Sequence, residues 1–150
     1  MITKIISGGQ TGVDRAALDA AISLNLPIGG WCPKGRIDEN GLIPEIYSQL
    51  QEITETVSTE KENYDARTRL NIRDSDGTLI LLPEIPVPQL GRDGTILTIE
   101  EVSLQKKPYL LIDLNVSLEN NTKDCVTWIK TSGIHILNIA GPRESSCGSV

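Results

Sequence analysis

Four consecutive apolar residues, Leu79-Ile80-Leu81-Leu82, constrain this chain more than any other stretch. A strand without a polar face has to be covered on both sides, which a parallel sheet flanked by helices provides and a sheet with one wet face does not. The neighbouring segments keep the same rhythm. Residues 109–114 and 135–140 read as further strands, and helical periodicity falls at about 95–107 and 119–131. Lys106-Lys107-Pro108 suits a helix end, with cations at the negative pole and a proline that stops it, and Ser132-Gly133 closes the next helix. Thr122, Cys125, Val126 and Ile129 are its expected inner face. Strands alternating with helices at these intervals predict an α/β chain, with a Rossmann-like, doubly wound, mainly parallel five-stranded sheet and helices on both faces.

The first unit of that pattern is Ile5-Ile6-Ser7-Gly8-Gly9-Gln10-Thr11-Gly12-Val13-Asp14-Arg15, a strand running through a glycine-rich turn into a helix. Glycine permits positive φ and leaves no side chain between the peptide N–H groups and a ligand, which is the geometry of an anion site. A tight strand-to-helix turn that binds nothing would use the same glycines. Thr11 or Gly12 is the expected helix cap, with Asp14 at capping-box spacing from Thr11. Val13, Ala16, Ala17, Ala20, Ala21 and Leu24 form the expected buried face.

Other candidate contacts follow from the shared edge of a parallel sheet. Ile28-Gly29-Gly30-Trp31 reads as a second strand leading into Cys32-Pro33-Lys34-Gly35-Arg36, so Lys34 and Arg36 are expected beside the Gly8–Gly12 turn. Residues 37–63 are the least regular: Asp38-Glu39-Asn40-Gly41 is turn chemistry, and Ile53, Glu55 and Val57 alternate like a brief edge strand. A helix over 63–74, capped by Asn63, carries Ala66, Leu70 and Arg73 on one side; Arg67 and Arg69, two apart, cannot share a face, so at most one reaches a site. Gly94-Thr95 opens a second helix after a strand, and two helix N-termini would converge on one ligand. Gly141-Pro142-Arg143-Glu144-Ser145 leaves the last strand at the same edge, whereas His135 lies at the opposite end and reads as structural.

Bulk properties restrict the classes. One hundred and fifty residues, 39% of them apolar, suit a single domain over 1–150. A net charge of −6 speaks against nucleic acid as a partner, so an anion site has to be a local basic pocket. No stretch approaches the roughly eighteen apolar residues of a membrane span, and Met1-Ile2-Thr3-Lys4 enters a strand without a signal pattern, so a cytoplasmic location without a membrane partner is expected. Cys32, Cys125, Cys147 and the one histidine are spread too widely for a disulfide framework or a zinc site. Cys125 reads as a core residue and Cys32 as a packing thiol.

Five blocks together resemble the molybdenum cofactor carrier family: Ser7 to Asp19, Gly29 to Arg36, Tyr64 with Arg67-Thr68 and Asn71, Asp74 to Leu79, and Ala140 to Ser145. The resemblance spans nearly the whole chain. It implies a Rossmann-like homo-oligomer that binds molybdenum cofactor (molybdopterin) and protects or delivers it, with molybdoenzymes or cofactor-synthesis proteins as partners. A small phosphate-bearing ligand of that kind would rest on Gly8, Gly9, Gln10, Thr11 and Gly12 or on Gly94 and Thr95. Lys34, Gly35, Arg36, Arg67 and Arg143 would surround it, and Arg15 would point either to the ligand or to Asp19.

Two other classes compete. The family is related to lysine-decarboxylase-like phosphoribohydrolases, nucleotide-processing enzymes with a Pro-Gly-Gly-x-Gly-Thr-x-x-Glu block. Aligning Gly94-Thr95 with its Gly-Thr puts Leu90 at the proline, Arg92 at the second glycine and Thr98 at the glutamate. A threonine cannot replace a carboxylate as general base, so hydrolysis would need Glu100 or Glu101 instead. A nucleotide-sensing module without turnover shares the carrier's sequence expectations. We weigh binding above catalysis because the carboxylate is missing and no placed histidine or metal cluster replaces it.

Overall fold

The computed structural model of the chain describes residues 1–83 and 95–147. Its elements in chain order are β1 (Lys4–Ile6), α1 (Val13–Ser23), β2 (Ile28–Gly29), β3 (Trp31–Cys32), β4 (Ile37–Asp38), β5 (Gly41–Leu42) and β6 (Gln51–Glu52). They continue with α2 (Glu60–Arg73), β7 (Gly77–Leu82), α3 (Thr95–Leu104), β8 (Tyr109–Asp113), α4 (Leu118–Ser132) and β9 (Ile136–Ala140). The central sheet has five strands in the order β2-β1-β9-β7-β8, and every pairing is parallel. The fold is therefore the expected doubly wound Rossmann-like α/β arrangement.

Side-chain alternation along β7 shows how both faces are covered. Leu79 and Leu81 pack with Ala17 and Leu18 of α1 and with Trp128 and Ile129 of α4, while Ile80 and Leu82 turn the other way onto Ile99 of α3. The last strand, β9, lies in the middle, with Leu137 in register with Ile5 of β1 and Ile139 with Leu79 of β7. The longest strand, β7, is an interior strand of the sheet, as burial on both faces requires. Tyr109–Asp113 is an edge strand, with Tyr109 39% exposed, rather than a fully buried one.

Several helices are rotated or extended from the sequence reading. The buried positions of α1 are Asp14, Ala17, Leu18 and Ala21, so Ala16, Ala20 and Leu24 face outward. The face is set by Leu18, at 0% exposure, and not by the row of alanines, because one leucine buries far more area than an alanine. Helix α2 starts three residues before Asn63: the Thr59 hydroxyl accepts the Glu62 N–H at 3.0 Å as its cap. The Asn63 amide instead clamps the backbone of Lys34, accepting its N–H at 2.6 Å and donating to its carbonyl at 3.0 Å. In α3 the inner residues are Thr95, Thr98 and Val102, with Ile96 outside. In α4, Cys125, Trp128 and Ile129 pack inward while Thr122 and Val126 are exposed, and Gly133 closes the helix in the left-handed region at φ 65°.

The second strand ends early for a steric reason. Gly30 has φ 118°, and a Cβ there would lie 2.4 Å from the Ser7 carbonyl oxygen, so the chain leaves the sheet at a point only glycine fits. Trp31–Cys32 then pairs in parallel with Gln51–Glu52 in a small separate sheet. The irregular stretch resolves into the β4–β5 hairpin around Asp38 to Gly41 and a short 3-10 turn, Glu45–Tyr47; β6 comes just before Ile53, which is itself buried. Among the described residues no helix is long and apolar enough to cross a membrane.

The rotated face of α1 gives a direct test. Leu18→Ala should cost about 2–5 kcal/mol in a denaturant titration, as for other buried leucines, whereas Leu24→Ala, at a position 69% exposed, should leave the midpoint nearly unchanged.

Candidate functional site

Strands β1 and β9 are neighbours and end at the same edge, so the Gly8–Gly12 turn and the segment after Ala140 meet there. Gly12, at φ 79°, is needed for that meeting: a Cβ would stand 2.5 Å from the Pro142 oxygen and 2.7 Å from the Glu144 nitrogen. The Val13 N–H donates to the Pro142 carbonyl at 3.3 Å. Thr11 joins the same contact, donating its hydroxyl to the Glu39 carboxylate and accepting the Glu144 N–H at 3.2 Å. Gly12 is the N-cap residue of α1, as one of the two expected candidates, and no side chain completes the cap. Glu39 also accepts from the Ser145 hydroxyl and, at 3.4 Å, from its N–H. Burial alone would raise the Glu39 carboxyl, but the bonds from Ser145 and Thr11 outweigh it and hold the group below its usual range.

The first peptide N–H groups of the turn are bonded within the protein. Gly8, Gly9 and Gln10 are buried. Gly9 N–H donates to the Ser7 hydroxyl, and Gln10 N–H to Asp14 Oδ2, both at 3.3 Å. Asp14 therefore sits where the sequence placed an external anion. The expectation of an exposed amide cradle is corrected for Gly9 and Gln10: from the first turn of α1, Asp14 folds back over the loop and supplies its own carboxylate.

Three of the predicted arginines gather around this loop. Arg15 donates to Asp38 Oδ2 at 2.7 Å and to the Gly9 carbonyl at 2.9 Å, and it lies 5.0 Å over the Tyr47 ring; Asp19 is taken by the Tyr47 hydroxyl. Arg67 turns inward with its side chain 13% exposed and Nη1 3.6 Å from Asp14 Oδ2, whereas Arg69 is exposed. Arg143 stacks 5.9 Å over the Tyr64 ring, one turn before Arg67 on α2. Among the described residues the buried side-chain polar atoms without a hydrogen-bond partner are Gln10 Oε1 and the Nε of Arg15, Arg67 and Arg143. Each belongs to a residue that the sequence singled out for a ligand.

Two adjoining hollows open beside Asp14, each with a cavity volume of about 10 Å³, and Asp14, Arg67, Thr98 and Ala140 line both. That is room for about one water molecule. Desolvation pushes the Asp14 carboxyl above the usual range, against the pull of Arg67, of Arg15 and of the N–H groups of Gln10 and Gly8. Thr95 and Thr98 present the start of α3 to the same space, both nearly fully buried.

The remaining candidates are placed elsewhere or otherwise engaged. Lys34 is exposed, and Gly35 N–H donates to Glu52 at 2.7 Å. Arg36 donates to the Leu50 carbonyl at 2.6 Å and the Tyr47 carbonyl at 3.1 Å, holding the 47–50 segment. Gly94, with Leu90 and Arg92, lies outside the described residues. Glu100 is exposed, and Glu101 accepts from Gln105 on its own helix at 3.0 Å, so neither lines the hollows. Cys32 is fully buried, its thiol raised by desolvation, as a packing residue is. His135 is exposed at the far edge, with Nδ1 2.9 Å from the Met1 carbonyl. Sequence reasoning passed over Asp14, Asp38 and Glu39, because an acidic residue in a turn or first helical turn already has a sufficient local explanation.

Comparison with known proteins follows the same lines. The profile of the Circularly permutated YpsA SLOG family matches residues 5–150. The crystal structure of a protein from Syntrophus aciditrophicus SB, named "Putative molybdenum carrier protein", superposes with a TM-score of 0.84 and 48% sequence identity, over 96% of this chain and 84% of that one. No curated protein matches the chain.

Gly12→Val should destabilise the protein by about 1–3 kcal/mol from backbone strain, and should increase proteolysis after Arg143 as the segment beyond it is pushed off α1. For Glu39, whose carboxyl is lowered in the fold, the stabilising contribution is present at neutral pH and lost as pH falls through that lowered value. The stability difference between the parent protein and Glu39→Gln should accordingly shrink below about pH 4.

Proposed function

The chain belongs to the Circularly permutated YpsA SLOG family, and on that premise we propose that it is a carrier that holds molybdenum cofactor at the carboxyl edge of its sheet. The observation that carries the reading is the set of buried guanidinium Nε atoms on Arg15, Arg67 and Arg143 that the protein itself leaves without acceptors. A buried donor without a partner is costly, so such atoms concentrate where a ligand or ordered water completes the bonding. Guanidinium groups suit the phosphate and oxo-metal ends of the cofactor, which offer acceptor oxygens in the planar spacing that arginine matches. Gln10 Oε1, an acceptor without a donor, suits an amide or amino N–H of the pterin. Among the described residues no three His, Cys, Asp or Glu side chains gather as metal ligands, so the metal would travel on the cofactor's own dithiolene. Delivery to molybdoenzymes or cofactor-synthesis proteins, and assembly as a homo-oligomer, belong to the same proposal.

Under this reading binding outranks turnover. The general-base position of the related hydrolases is occupied by Thr98, which lines the hollows with a hydroxyl where the carboxylate would stand.

The test is retention. Purified protein incubated anaerobically with molybdenum cofactor released from a donor enzyme should carry it through a desalting column. Arg67→Ala and Arg143→Ala should each weaken binding by roughly 10- to 100-fold, as the loss of one charge-assisted hydrogen bond does. Arg73→Ala, at an exposed position paired with Asp74, should change nothing. Retention that survives the double replacement of Arg67 and Arg143 would place the ligand elsewhere.

A further inference from the structure

The seat prepared for an anion already contains one. Asp14 is 2% exposed, accepts the Gln10 N–H and stands 3.6 Å from the Arg67 guanidinium, the cation most directly available to a ligand in the same hollows. The space beside them admits about one water. An oxyanion reaching Arg67 would thus lie within a few ångströms of a buried carboxylate, in surroundings that screen the repulsion poorly. Two arrangements avoid the clash: the ligand keeps away from Arg67, or Asp14 becomes neutral. The unpartnered Arg67 Nε, on the guanidinium that also faces Asp14, favours the second.

We propose that Asp14 is a resident counter-anion that an anionic ligand neutralises: binding takes up one proton from solvent onto the Asp14 carboxylate, which then donates its new O–H to the ligand oxygen and releases Arg67 to pair with it. The proposal rests on the binding reading above and specifies how that site is regulated. The surroundings of Asp14 suit the exchange. The groups acting on it are Arg67 from α2, Arg15 from its own helix and the N–H groups of Gly8 and Gln10 from the turn. Helix α3 faces the hollows with the uncharged Thr95 and Thr98, β7 with Ile80 and β9 with Ala140. None of these other residues is a carboxylate or a histidine, and the one histidine is at the opposite edge of the sheet. The carboxyl is already inclined towards its neutral form by desolvation, which two opposed cations and two N–H groups only partly offset. A carrier built this way grips an anionic cargo more tightly in acid and lets go as pH rises.

Molybdate is a suitable probe, since it stays doubly charged around neutrality and any pH dependence then comes from the protein. Its affinity, measured by calorimetry between about pH 6 and pH 8.5, should fall by up to tenfold per pH unit. Repeating the titration in buffers of different ionisation enthalpy should count close to one proton taken up. Asp14→Asn, checked for folding by its melting curve, should bind molybdate without that slope and more tightly than the parent at the alkaline end. The wild-type proton count tests the proposal even where Asp14→Asn does not fold. Absence of molybdate binding at every pH, binding with no proton uptake, or weaker alkaline binding by Asp14→Asn would each overturn it. Cofactor retention is scored separately: retention without a proton count refutes this inference and leaves the carrier reading standing, while proton-linked molybdate binding without retention does the reverse.

Discussion

The position of the final strand governs this architecture. β9 lies between β1 and β7, so the two halves of the sheet, β2-β1 and β7-β8, are joined only through residues that enter last in the chain. The order of connections reverses around this strand, and in doubly wound sheets that reversal opens a crevice beyond the carboxyl ends. Here the crevice is walled by both ends of the chain: Ser7 to Gly12 from the first strand and Gly141 to Ser145 from the last. The Thr11, Glu39 and Ser145 bonds and the approach of Gly12 to Pro142 tie those walls together. The place of β9 therefore completes both the sheet and the walls of the crevice.

Electrostatics then sets the condition for any anion binding in this crevice within an acidic protein. A surface carrying a net charge of −6 repels anions at long range, so recognition has to come from groups shielded from that field. Arg15 and Arg67 meet this need by being largely buried, each with an acidic companion, Asp38 and Asp14. The two pairs differ in kind. Arg15 and Asp38 lie at 2.7 Å, a direct bond that fixes the β4–β5 hairpin to α1. Arg67 and Asp14 are 3.6 Å apart, too far for a good hydrogen bond, with Nε left over. A buried pair this loose gives little net stability after desolvation, which argues that it is kept for something other than holding the fold.

Much of the fold was legible because it rests on local pattern. The run Leu79–Leu82 announced a two-faced strand, Ser132-Gly133 a helix end, and Gly8 to Gly12 a strand-to-helix turn, and each is read from a few adjacent residues. Strand order was not legible, since nothing in Ile136–Ala140 distinguishes a central strand from an edge. The inner face of α1 was misread because alanines tolerate either side, leaving Leu18 and Asp14 to decide. In the site, helical angle showed that Arg67 and Arg69 could not both reach a ligand and the family resemblance pointed to Arg67, but its partner was not legible: Asp14 reaches it only because α2 crosses beside the first turn, a relation between residues 53 apart in sequence. Arg36 shows the opposite error. Its charge suggested a ligand, while its positive φ of 52° and its bonds to Leu50 and Tyr47 bind it to the irregular segment that the sequence left open.

The presence of Asp14 also bears on how a carrier should differ from an enzyme built on the same sheet. A phosphoribohydrolase needs its carboxylate placed against the bond that breaks and an anion seat free to grip the phosphate in every protonation state that turnover visits. In this chain the α3 position facing the hollows is Thr98, and the carboxylate comes from α1, over the amides that would otherwise grip phosphate. The acid of this chain thus stands beside the anion contact, and the α3 position aligned with the hydrolases' general base carries a hydroxyl. Under the proposed exchange, the strength of the grip depends on one proton. For a carrier that has to hold a labile cargo and then surrender it, a seat that can refill itself with its own carboxylate would provide a route to release that needs no chemistry on the cargo.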